Sequence, residues 1–102
     1  MKKCQVILVL NLKALNNMRI ALIQQTASED NESNIVKGLK NIDKAAEMGA
    51  DLAVFAELAF TRFYPQYRAN KNLSELAEPV PGPTTKRFMD KAKEHNMVIV
   101  IN

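Results

Sequence analysis

Few residues in this 102-residue chain could do chemistry: one cysteine, Cys4, one histidine, His95, and several carboxylates, of which Glu57 is singled out by its place. Residues 50–59 read ADLAVFAELA, and their continuous apolar core, Leu52 to Phe55, has the length of a strand covered on both faces. Glu57 stands where that strand runs out. In open parallel sheets, ligands bind outside the carboxyl ends of the strands, so a carboxylate there can serve as an acid or a base. Position alone also fits a solvated or salt-bridged glutamate, and the wording around it has to separate the two.

The other candidates are weaker. Cys4 precedes the first clear strand and has no base beside it in sequence, so it reads as a structural thiol. His95 falls at the end of a helical pattern, where an imidazolium favours the negative end of the helix dipole. Arg62 could meet a substrate carboxylate through its guanidinium fork, although a surface arginine is the reading the sequence favours. Phe63, Tyr64 and Tyr67 follow Glu57 closely, and Tyr64 is the aromatic most suited to line a pocket; packing against the loop is the competing role.

Elements able to position these residues can be read from periodicity. Met18 to Ile23, MRIALI, is an aliphatic run that turns polar at Gln24 and Gln25, as a buried strand does on leaving the core. After a polar stretch, Ile35, Leu39, Ile42 and Ala46 repeat as one face of a helix, with Asn31 or Ser33 as its cap and Gly49 as the left-handed residue that ends it. Residues 61–81 show no period and hold several prolines, which predicts a long ordered loop with a helical turn near Leu73 to Leu76. Gly82-Pro83-Thr84 starts a second helix whose buried stripe is Phe88, Met89 and Ala92, ending near Asn96, and Met97 to Ile101 is a third buried strand. Strands separated by helices predict an α/β unit, strand-helix-strand-helix-strand, with right-handed crossovers. The chain stops on VIVIN, at the tip of a core strand, and the expectation drawn from this is an incomplete unit.

Composition narrows the function classes. Hydrophobic residues are 47% and charged residues 25%, with three glycines and four prolines, the balance of a globular chain large enough for at most one domain. The net charge is +3, and the 14 basic residues are scattered among 11 acidic ones, so no block tracks a phosphate backbone and nucleic-acid binding gains no support. A lone cysteine excludes an internal disulfide and a CxxC metal pair, and fits a reducing, cytoplasmic setting. MKKCQVILVL looks like the start of a signal peptide, but Asn11 and Lys13 break the apolar run and no small-residue cleavage site follows. No apolar stretch approaches the roughly 18 residues that span a bilayer, so no membrane partner is expected. QQTASED after Ile23 carries neither GxGxxG nor a P-loop, which disfavours a nucleotide-binding fold.

ADLAVFAELAFTRFYPQY resembles the second strand and following loop of the nitrilase superfamily of carbon-nitrogen hydrolases, in which a strand of the type VVFPEL delivers a catalytic glutamate. MRIALIQQ resembles the first strand of that family, and the resemblance runs in order from Met18 to Asn102. ELAFTRFYPQ, together with EPVPGPTT ahead of the second helix, is most similar to the N-carbamoyl amino acid amidohydrolase branch. What the resemblance implies is a Glu, Lys, Cys triad on a four-layer αββα sandwich, in which a cysteine thiolate attacks an amide, carbamoyl or nitrile carbon with no metal or organic cofactor. Only the glutamate maps onto this chain, at Glu57. The physical logic agrees: a weak nucleophile needs a base to take its proton, and a partly desolvated glutamate is a better base near neutral pH.

The family's lysine and cysteine follow later elements, so the resemblance implies the amino-terminal part of a sandwich that has no turnover on its own. Cys4 lacks the strand-to-elbow setting of the family's nucleophile. Ala56 stands where proline commonly precedes the glutamate, and losing that fixed φ loosens the aim of Glu57. Residues 1–17 have no counterpart in the resemblance, which implies an extension ahead of a partial hydrolase domain at 18–102, with Met18 as a natural start; an extra edge strand at Gln5 to Leu10 is the other reading. Partners implied are a small amide or carbamoyl substrate and, as in many family members, further copies of the chain. A truncated, noncatalytic module that associates through an uncovered sheet face is the alternative function.

Overall fold

A computed structural model describes residues 5–12, 17–61 and 77–102. Six elements are present among them: β1 (Gln5–Leu12), β2 (Met18–Gln25), α1 (Asn31–Glu47), β3 (Leu52–Phe55), α2 (Pro83–His95) and β4 (Val98–Val100). They form one four-stranded sheet in the order β1-β2-β3-β4. β1 pairs antiparallel with β2, from Gln5 opposite Gln25 to Leu12 opposite Met18, while β2, β3 and β4 run parallel. The strand-helix-strand-helix-strand order expected from the sequence is thus the parallel part of the sheet, and residues 5–12 add an antiparallel edge.

β2 to β3 and β3 to β4 are crossovers that step the same way across the sheet. Two steps of one hand put both helices on one face, and the burial of the strands agrees. Ile23 and Phe55 are buried in register, as are Ala21 and Ala53, and the partly buried Ile7, Val9 and Ile99 extend these two rows. On the helices Ile42, Ala45 and Phe88 complete this core.

Local chemistry sets the helix ends. Asp30, rather than Asn31 or Ser33, caps α1: its backbone is extended and its side chain accepts from the Glu32 N–H at 3.1 Å, satisfying one of the first-turn donors. At the other end Gly49 is left-handed, with φ 79°, and Arg19 Nη1 donates to Met48 O at 3.2 Å, so a cation meets the negative end of the helix. Gly82 is the N-cap of α2 and offers no side chain; Glu78 substitutes, accepting from Thr84 N at 3.0 Å and from Thr84 Oγ1 at 2.9 Å. Asn96 ends α2 in the left-handed region, which asparagine tolerates better than most residues.

Three further expectations are corrected. The buried stripe of α1 is Asn34, Gly38, Asn41, Ile42 and Ala45, rotated from the aliphatic stripe read in the sequence, because amides and a glycine face the sheet. Met89 is 55% exposed, and Phe88 alone is buried on α2, since both helices touch the sheet from one side only. β4 is not a buried strand: Val98 and Val100 are exposed, and β3 is covered on one face and only partly screened on the other.

Candidate active site

The site builds from the end of β3. Ala56 leaves the strand, and residues 57–60 form a turn in which Glu57 and Leu58 are exposed while Ala59 and Phe60 are buried. Glu57 therefore follows the carboxyl end of a parallel strand whose neighbours on both sides are also parallel, the position at which such sheets bind ligands. Glu57 is solvent-exposed among the described residues. Ala56 is exposed as well, and no proline fixes the approach to Glu57.

Leu58, directly after Glu57, has φ 56°, a left-handed conformation that costs a non-glycine residue about 1–2 kcal/mol. Such a turn persists only if its surroundings over-determine it, and two kinds of contact do so. The first is aromatic: Phe60 lies 5.0 Å from Phe55 edge-on and 4.9 Å from Phe88 in a stacked arrangement, and Phe55 and Phe88 close the triangle at 5.6 Å. The ring presses against Gly38, where an added Cβ would sit 2.5 Å from Phe60 Cε1, so α1 can approach the turn only with glycine there.

The second is a set of side-chain amides. Asn34, fully buried on α1, donates from Nδ2 to Phe60 O at 3.0 Å and to Ser28 O at 2.9 Å. Its Oδ1 accepts from Ser28 N at 2.8 Å and Ser28 Oγ at 3.0 Å, so both ends of the amide are satisfied. Gln25, the last residue of β2, donates from Nε2 to Asn34 O at 3.1 Å and to Ala59 O at 3.4 Å, and its Oε1 accepts from Asn41 Nδ2 at 2.8 Å. The loops leaving β2 and β3 are thus laced to one face of α1. The sequence reading missed these amides; the available signal was Asn34 and Asn41, seven apart, sharing a helical face with Gly38 and Ile42.

Of the candidate substrate contacts, Arg62 and Tyr64 lie outside the described residues, as do Phe63, Tyr67 and Leu73 to Leu76; so does Cys4. His95 does not merely complement the end of its own helix. Its Nε2 is 2.8 Å from Asp43 Oδ1 on α1, and Lys91 Nζ donates to Asp43 Oδ1 and Oδ2 at 2.9 and 3.1 Å and lies 3.3 Å from Glu94 Oε2. Lys91 holds the Asp43 carboxyl below its usual range, with burial opposing and His95 assisting, and the Lys91 ammonium is raised chiefly by Asp43. Asp43, Glu94 and His95 bring ligand atoms within 4.8 Å of one another, but the cation these carboxylates meet is Lys91, and the cluster clasps the two helices together. Arg87 Nη1 pairs with Glu32 at 2.8 Å in the same interface. No helix among the described residues is long and apolar enough to cross a membrane.

Comparison with known proteins agrees with this architecture. A family profile described as Carbon-nitrogen hydrolase matches residues 19–102, which include every element from β2 onward except its first residue. The chain is 28% identical over 88 residues to the omega-amidase NIT2 of Pongo abelii and 30% identical over 86 residues to that of Homo sapiens, covering 82% and 84% of this chain and 29% of each relative. It is 36% identical over 70 residues to a nitrilase of Paraburkholderia phymatum, covering 59% of this chain and 20% of that protein. The chain spans less than a third of the length of these relatives. With the match covering most of its length and a mixed α/β sheet consistent with the amino-terminal part of a nitrilase-type fold, the chain belongs to the carbon-nitrogen hydrolase family.

Proposed function

We propose that this chain supplies the general base, Glu57, of an enzyme that hydrolyses a non-peptide carbon-nitrogen bond, and that the nucleophilic cysteine and the oxyanion-stabilising lysine lie outside these residues. The observation that carries the reading is Glu57 two residues past the carboxyl end of a parallel strand inside the family-matched segment. In that role the carboxylate takes the thiol proton as sulfur attacks the carbonyl-type carbon, and a lysine stabilises the oxygen on which charge develops. The exposure of Glu57 fits a base whose dry environment is completed by further chain. The substrate class is a small amide or carbamoyl compound, an N-carbamoyl amino acid on the wording of ELAFTRFYPQ and EPVPGPTT, with an ω-amide favoured by the names of two relatives. Arg62 and Tyr64 are the residues proposed to meet it. We take residues 1–17 as an extension ahead of the hydrolase segment that adds the edge strand β1; the family match beginning at Arg19 supports this boundary.

The purified 102-residue chain, assayed against N-carbamoyl amino acids, ω-amides and nitriles, is expected to show no turnover, because a base without a thiol to deprotonate does no chemistry. A hydrolytic rate that disappears on replacing Cys4 would overturn the proposal.

A second reading is favoured by one specific observation. The sheet face opposite the helices carries two apolar rows, Leu8, Leu22, Val54, Val100 and Leu10, Ile20, Leu52, Val98, with no charged residue in either. As a noncatalytic module the chain would associate through this face, which exceeds what isolated surface aliphatics require.

A further inference from the structure

Gln25 and Asn34 are two buried or half-buried amides that no step of the proposed chemistry uses, yet they converge on the two carbonyls that follow the strained residue beside Glu57. Asn34 Nδ2 holds Phe60 O at 3.0 Å and Gln25 Nε2 holds Ala59 O at 3.4 Å, with Gln25 itself tied to Asn34 O and to Asn41 Nδ2. We propose that this amide pair is the positioning device for Glu57: it fixes the turn at 57–60 and so keeps Leu58 at positive φ. Glu57 can then leave β3 at one defined angle although proline is absent before it.

The inference rests on the reading of Glu57 as the base, and the physical argument is one of over-determination. A left-handed leucine relaxes to negative φ unless the peptide units after it are anchored. Here the anchors come from two different elements, β2 and α1, so the turn is referred to the sheet and the helix at once. The aromatic triangle holds the Phe60 ring, but a ring fixed by packing leaves the carbonyls of Ala59 and Phe60 free to rotate; the amides remove that freedom. Packing anchors the turn and hydrogen bonding orients it.

The test is solution NMR of the isotopically labelled chain, reading the Leu58 dihedral from its carbon shifts and its amide-to-Hα coupling, with hydrogen exchange at Leu58 to Phe60. In Asn34→Leu, which keeps side-chain volume but donates nothing, the positive-φ signature at Leu58 is expected to disappear. Exchange at these amides should rise about tenfold or more while the strand signals of β2 and β3 persist. If Asn34→Leu does not fold, Gln25→Leu decides, since Gln25 is only partly buried at the strand end and its loss frees Ala59 O. A Leu58 that keeps positive φ in whichever of these variants folds overturns the proposal. Glu57→Gln is expected to leave the signature unchanged, because the carboxylate is not part of the clamp. Activity enters none of these readings, so a failure of Glu57 as base would be seen separately, as hydrolysis that survives Glu57→Gln in a longer product carrying the lysine and cysteine.

Discussion

β2 and β3 present alternate side chains to two very different surroundings. Ala21, Ile23, Ala53 and Phe55 are buried under the helices at 5% exposure or less, whereas their neighbours Leu22 and Val54 belong to a face that is at most partly screened among the described residues, and Leu22 is 40% exposed. Sequence does not distinguish the two sets, because both are apolar and both lie in short apolar runs. What distinguishes them is how much chain is present to cover each face. Period-2 alternation therefore failed as a signal here: a continuous apolar run is buried by described residues on one face and not on the other. The covered face holds the helices and the turn that carries Glu57. The open face is apolar and carries no helix among the described residues.

The sharpest way to break this comparison is to place one charge on each side of the same strand. Ala53→Asp should cost about 4 kcal/mol or more and leave no cooperative urea transition, since an unpaired carboxylate would be buried at a position with no exposure. Val54→Asp should cost about 1 kcal/mol and reduce concentration-dependent association in sedimentation, if the open apolar rows are what associates. Equal destabilisation by the two substitutions would mean that both faces are covered.

A smaller effect tests how closely α1 sits on the turn. Gly38→Ala pushes a methyl group into Phe60 and Phe88, and is expected to cost about 1–3 kcal/mol in a urea denaturation in spite of alanine's better helix propensity. A gain in stability would show that α1 and the turn are loosely packed.

The smallest expected effect is in the helix-helix clasp, at the edge of the covered side. Asp43 is held below its usual carboxylate value, so its contribution is present above about pH 4 and is lost as pH falls through the folded value; Lys91 is raised, so its contribution persists until pH rises past about 10.5. Asp43 is 42% exposed and solvent screens the pair, so Asp43→Asn should cost about 0.5–1 kcal/mol at pH 7. Chemical denaturation of both forms across pH should show the difference shrinking as pH falls below about 4 and vanishing once it passes below the folded value of Asp43. A difference that stays constant into acid would assign the cost to packing.

Much of the fold was legible in the amino-acid sequence. The parallel strands, both helices, the glycine that ends α1 and the proline that opens α2 all follow from periodicity and from backbone constraints that act locally. The position of Glu57 at a strand exit was legible for the same reason. Burial of the amides was not: Asn34 and Asn41 look like solvated helix residues until the carbonyls of Phe60 and the side chain of Gln25, distant in sequence, are brought to them. The helix clasp was hidden likewise, since Asp43 and His95 are 52 residues apart. Long-range polar pairing leaves no periodic trace, which is why His95 read only as a helix-end charge.

We propose Glu57 as the base of a carbon-nitrogen hydrolase whose lysine and cysteine lie outside these residues. The direct measurement is to read the coding DNA past the Asn102 codon, express the in-frame product, and compare its hydrolysis of amides and N-carbamoyl amino acids with that of its Glu57→Gln form. An in-frame lysine and cysteine, and a loss of about a hundredfold or more in kcat with the fold intact, are predicted. A stop codon immediately after Asn102, or full activity in Glu57→Gln, would contradict the account.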